Sequence, residues 1–142
     1  MSIENNKALA RRSLEMWGAG SDDRPEEVFA ADYANHQESD IRGDVMTRDL
    51  ASWKDVVGKH HEAFPDLTVR IAMQIAEGDW VATRWEFSGT HEGAFMGAAP
   101  TGKRVTWTGV QIDRCENGRI VESWVDWDKY RLMQGVGLLP GP

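Results

Sequence analysis

The chain has 142 residues, enough for one domain with one core and one pocket. Hydrophobic residues make up 41% and charged residues 27%, values of an ordinary folded protein, which excludes disordered and fibrous classes. The formal charge is −7 and no Lys/Arg cluster exceeds a pair, so neither a nucleic-acid backbone nor an anionic membrane is an expected partner.

Cys115 is the only cysteine, so no intrachain disulfide or cysteine-based zinc site can form. The polar start MSIENNKALARR has no apolar leader region, and no run approaches a membrane span; a cytoplasmic location is expected. Seven Trp against two Tyr is the compositional oddity. Large rigid rings suit either a packed core or the walls of an apolar cavity.

In chain order, Ile3, Ala10, Leu14 and Trp17 recur at helical spacing up to Gly18, predicting a first helix over 2–17. Asp22 to Pro25 looks like a helix start, with a short second helix over 26–31 and an irregular piece at 33–36. A polar loop is expected over 39–46. Thr47 then caps a third helix whose stripe is Leu50, Trp53, Val57 and Phe64, stopped by Pro65. At about 100° per residue His60 and His61 flank that stripe, so one or both can look into a pocket.

After Pro65 the periodicity changes from helical to alternating. Strands are predicted over 67–76, 80–89, 105–114 and 119–127, with turns at Glu77-Gly78-Asp79 and Glu116-Asn117-Gly118 and a Gly/Pro/Ala-rich loop over 93–103. A short helix or tail over 130–139 closes the chain. Helices followed by consecutive antiparallel strands give an α+β domain spanning 1–142.

Several stretches carry a family resemblance in order and spacing: AFPDL (63–67), IAEGDWVATRWEFSGTHEGAFMG (75–97), APTGKRVTWTG (99–109) and ENGRIVESWVDWD (116–128) running into LMQGVGLLP. Together they resemble the SnoaL-like polyketide cyclases, or ester cyclases, of the nuclear transport factor 2-like superfamily. The resemblance implies a cone-shaped α+β barrel, with a curved antiparallel sheet wrapped around three N-terminal helices and an apolar pocket. It further implies homodimers or homotetramers formed through the sheet, a small apolar or polyketide-like ligand, and an intramolecular aldol condensation with neither metal nor organic cofactor. The same architecture also hosts hydrolases, dehydratases, isomerases and non-catalytic binders.

An aldol closure removes a proton beside a carbonyl and protonates the oxygen that the new bond attacks. One carboxylate with a pKa raised by burial can serve both steps, beside a donor for the enolate. The resemblance places this acid after Glu122-Ser123-Trp124, near the end of the last strand, where Asp126 and Asp128 both qualify. On a regular strand 124, 126 and 128 share a face, so Asp126 is expected beside Trp124 in the cavity and Asp128 as the cap of the last helix, with the reverse open. A two-residue turn would set Gln111 opposite Trp124 and Gly109 opposite Asp126; a three-residue turn, favoured because it avoids setting Asp113 against Glu122, would set Thr108 opposite Asp126.

The wider candidate set has His36 and His60 as catalytic donors. Trp53, His61, Phe64, Arg84, Phe95, Trp107, Gln111 and Trp124 are the candidate lining. Arg84 shares a strand face with Trp80 and Glu86; with Asp126 and Glu86 it can imitate the Asp-Arg-Asp set of epoxide hydrolases. His91 is expected at the surface. No metal is expected, because His60 and His61 are adjacent rather than four apart.

Overall fold

The computed structural model describes residues 2–37 and 46–141. Helix α1 (Ile3–Glu15) starts where Ser2 Oγ accepts from the Asn5 amide at 3.0 Å. Helix α2 (Pro25–Val28) is a single turn with proline at its start. Helix α3 (Leu50–Ala63) is capped by Asp49, whose carboxylate accepts from the Ser52 amide; the expected cap, Thr47, belongs to a strand instead. Helix α4 (Lys129–Gly135) is capped by Asp128, which accepts from the Arg131 amide at 3.0 Å. No helix among the described residues is long and apolar enough to cross a membrane.

Six strands form one curved sheet in the order β2-β1-β6-β5-β4-β3. They are β1 (Phe29–Gln37), β2 (Met46–Arg48), β3 (Thr68–Glu77), β4 (Trp80–Thr90), β5 (Arg104–Glu116) and β6 (Arg119–Trp127). The α+β class is as expected, but the sheet is neither closed nor wholly antiparallel. β1, expected as a short irregular piece, runs parallel to β6 and pairs His36 with Trp124. Its sequence YANHQ is too polar to announce a strand; its pairing partners hold it extended. Of the expected loop over 39–46, residues 39–45 lie outside the described residues.

The long strands β4 and β5 bury alternate residues against the helices: Val81, Thr83, Trp85 and Phe87 on one, Val105, Trp107, Gln111, Asp113 and Cys115 on the other. Two apolar clusters result. One gathers Leu14, Phe64, Leu67, Trp85, Phe87 and Trp107; the other gathers Leu9, Phe29, Tyr33, Trp53, Val57 and Ile120; Trp17 packs against both. Between them lies a cavity.

The faces of β6 follow from two local features. Asn117 and Gly118 both have positive φ, 52° and 76°, as a two-residue hairpin turn requires, so Glu116 pairs with Arg119 and Cys115 with Ile120. The next pair is Arg114 with Glu122, so Val121 is an extra residue, a bulge that reverses the faces of all that follows. Ile120 points inward, and after the bulge the inward residues are Ser123, Val125 and Trp127 rather than 122, 124 and 126. Gln111 therefore faces Val125, and Val110 faces Asp126, neither of the registers expected.

Candidate functional site

The cavity has about 560 Å³ of open space, counting its mouth and the solvent in it. Trp17, Trp53, Trp85, Trp107 and Trp127 line it together with Phe87 and Val125. Five of the seven tryptophans thus serve one pocket, which accounts for the composition. β5 and β6 approach closely behind it: a Cβ on Gly109 would fall against the Trp85 ring and within 2.8 Å of Trp127 Cβ, so only glycine fits there.

Polar groups enter this apolar wall at few places: Asn35, Gln37, Arg48, His60 and Gln111. His60 comes from the last turn of α3, its ring edge-on to Trp17 at 4.9 Å and near Phe95 at 5.4 Å. Its Nδ1 lies 2.9 Å from the Val56 carbonyl, which can only accept, so Nδ1 carries the proton and Nε2 the lone pair. Burial pushes its pKa from 6.5 down to about 4, aided by the charges of His61 and Arg48, against the Val56 hydrogen bond. It is a neutral imidazole at physiological pH.

Behind Gln111 sits an acid that the sequence reading passed over. Asp113 is fully buried, and burial raises its pKa from 3.8 to about 7, although Ser123 and Gln111 both donate to it. Both donors reach Oδ1, while Oδ2 has no partner among the described residues. Nearby Tyr33, also buried, receives from the Asn35 amide at 2.8 Å, and Asn35 Oδ1 accepts from Gln37. Burial, with the Asp113 charge beside it, raises the Tyr33 hydroxyl well above its ordinary value. The alternation of β5 from Val105 to Cys115 was the signal that could have found Asp113.

Of the expected site residues, the structure brings His60, Trp53, Trp107 and Gln111 together at the cavity. The others lie elsewhere. Asp126 is exposed on the outer face of the sheet, because the Val121 bulge turned it out, and Asp128 caps α4. Trp124 is on that outer face too, against Trp80 at 5.4 Å and His36 at 5.2 Å. His36 is engaged there with Glu122 at 2.7 Å and Thr47 at 3.0 Å. Arg84 is exposed beside Glu86, which pairs with Arg70.

His61 Nε2 donates to the Trp17 carbonyl at 2.7 Å, and Phe64 and Phe95 pack in the core next to the cavity without lining it. His91, expected at the surface, is fully buried: its Nδ1 accepts from the Thr101 amide at 3.2 Å, fastening the loop after β4.

A sequence model of the SnoaL-like polyketide cyclases matches residues 7–136. Among solved structures, the chain is similar to AclR from Streptomyces galilaeus, a candidate hydroxylase, with 30% identity over 99% of this chain and 86% of that one and a TM-score of 0.82. It is also similar to IdmH from Streptomyces antibioticus, a candidate polyketide cyclase: 29% identity, 93% and 98% coverage, TM-score 0.79. TsrD from Streptomyces laurentii shares the fold at 19% identity, covering 98% and 99%, with a TM-score of 0.82. A search of curated proteins returns no significant match.

Proposed function

The chain belongs to the SnoaL-like polyketide cyclase family, and from that premise we propose that it is an acid/base enzyme closing a ring in a planar, polyketide-like substrate by intramolecular aldol chemistry. The observation that carries this reading is a neutral imidazole, His60, set in a wall of tryptophans. Flat aromatic surfaces favour a flat, largely apolar ligand.

In this reading His60 Nε2, its ring held by the Val56 carbonyl on Nδ1, takes the proton from the carbon beside a substrate carbonyl. That carbon bonds to a second carbonyl carbon, and the imidazolium returns the proton to that carbonyl's oxygen. The charge created on the enolate oxygen is met by Arg48, whose own charge is already felt at His60. Burial leaves free His60 a weak base, and the enolate forming beside it offsets this, because its negative charge favours the imidazolium. The Trp rings exclude water and shield the enolate from the solvent. The resemblance alone had pointed to Asp126 or Asp128, and their places on the outer face and at a helix cap leave His60 as the candidate.

The test is ring closure of an aromatic polyketide methyl ester, followed by absorbance. His60→Gln should lower kcat by about 100-fold or more while ligand affinity stays within about threefold. An unchanged kcat would remove the proposal. A second reading, ligand binding without turnover, is favoured by Val125 and Trp127 on the inner face of β6, where the resemblance had placed an acid. Tight binding with no turnover by the wild type would establish it.

The proposal extends to self-association through the outer face of the sheet. There Met73, Ile75, Trp80, Val110 and Ile112 are exposed beside Trp124, an apolar surface of the kind that partners cover. Sedimentation of the wild type as a dimer or tetramer, and of Ile112→Glu as a monomer, is the expected outcome; a wild-type monomer would remove this part.

A further inference from the structure

Gln111 stands where the apolar cavity meets the buried polar cluster, and its neighbours dictate which way its amide points. Nε2 donates to Asp113 Oδ1 at 2.9 Å and lies 3.4 Å from Ser13 Oγ. Ser13 cannot donate back, because its hydroxyl proton goes to the Ala10 carbonyl at 2.7 Å. Asp113 Oδ1 is likewise an acceptor here, taking a second bond from Ser123 Oγ. An amide turned the other way would set its carbonyl against two acceptors and lose both bonds. Turning is therefore strongly opposed.

The amide nitrogen is thus spoken for, and the group left for the cavity is the carbonyl oxygen. Gln111 lines the cavity, and its Oε1 is not among the buried side-chain atoms without a partner. Of the other two amides on the cavity, Asn35 donates to Tyr33 and its oxygen accepts from Gln37, while the Gln37 amide has that one acceptor among the described residues and lacks the second that fixes Gln111.

We propose that Gln111 offers its side-chain carbonyl as a fixed hydrogen-bond acceptor to the ligand, with Asp113 and Ser13 as the positioning residues that hold it so. The cavity is then selective for a ring hydroxyl, phenol or enol, over the corresponding methyl ether. The hydroxyl donates to Oε1. The ether sets lone pairs against lone pairs and leaves a desolvated carbonyl without a partner, which is how a site built to bond a hydroxyl rejects an analogue lacking its proton. This rests on the reading of the cavity as the ligand site.

Calorimetric titration of the full chain with 2-naphthol and with 2-methoxynaphthalene tests it, since these planar probes differ only in that group. The wild type should bind the naphthol at least about tenfold more tightly. Gln111→Leu should erase the preference while holding the ether affinity within about threefold of the wild type. Asp113→Leu should also reduce the preference to below about threefold with ether binding retained, because the released amide can turn either way; a general loss of packing would weaken both probes alike. Ser123→Ala keeps both acceptors of Gln111 and should keep the preference.

If Asp113→Leu does not unfold cooperatively, Ser13→Ala takes its place and should at least halve the preference. Equal affinities in the wild type, a full preference in Gln111→Leu, loss of preference in Ser123→Ala, or a full preference in the folded positioning variant would overturn the inference. Binding of neither probe would instead count against the cavity as the ligand site, and so against the reading on which the inference rests.

Discussion

Replacing Asp113 by Asn should alter the way stability depends on pH, and the size of the effect follows from burial. The carboxyl has an ordinary value of 3.8 and a folded value of about 7. Below the first it is neutral in both states; between the two the unfolded chain releases the proton while the folded protein keeps it. Stability contributed by the neutral acid is therefore complete below the unfolded pKa and lost as pH rises through the folded one.

At about 1.4 kcal/mol per tenfold the full span is about 4 kcal/mol, of which about 3 kcal/mol develops between about pH 4.5 and about pH 8. Asn has no such titration. It brings two N–H groups toward the place where Oδ2 has no partner among the described residues, a cost of about 1–3 kcal/mol at every pH. That cost and the His60 contribution cancel when the two proteins are compared at two pH values. Urea unfolding followed by tryptophan fluorescence should show the variant gaining about 3 kcal/mol on the wild type between about pH 4.5 and about pH 8. A gain below about 1 kcal/mol would refute a protonated buried Asp113.

Three further outcomes are expected. The acid limb of kcat/KM should lie near about 4, where free His60 takes up its proton, and a limb near 6.5 would mean that His60 is not held neutral by burial. Asp126→Asn should leave turnover and ligand affinity within about twofold of the wild type, as for a solvent-facing substitution; a large loss would reinstate it as the acid. Gly109→Ala should destabilise the fold by about 1–3 kcal/mol and weaken ligand binding, because the added methyl displaces Trp85 and Trp127 from the cavity wall; an unchanged urea midpoint would contradict the packing.

Much of the architecture was legible in the chain itself. Apolar residues at helical spacing marked α1 and α3, alternation marked β4 and β5, and the surplus of tryptophan announced a large aromatic surface needing a place. Local chemistry also announced two ends: a hairpin turn at Glu116-Asn117-Gly118, although with three residues favoured over the two that form it, and Asp128 as a helix cap. These features depend on a few neighbouring residues, so a short stretch contains all the information they require.

Tertiary structure decided which side chains meet. YANHQ becomes a strand only because β6 lies parallel beside it, bringing His36 to Glu122 across 86 positions. Asp113 becomes a site residue only because tertiary packing removes it from water, with Ser123 of β6 donating to it and Ser13 of α1 reaching its neighbour Gln111. Regular alternation along ESWVDWDKY puts Trp124 and Asp126 inside, but Ile120-Val121 is apolar on either face, so nothing local says where the alternation slips. The slip is fixed when β6 pairs with β5 on one side and β1 on the other: one extra residue at Val121 exchanges the faces, putting Val125 and Trp127 in the cavity and Asp126 in solvent.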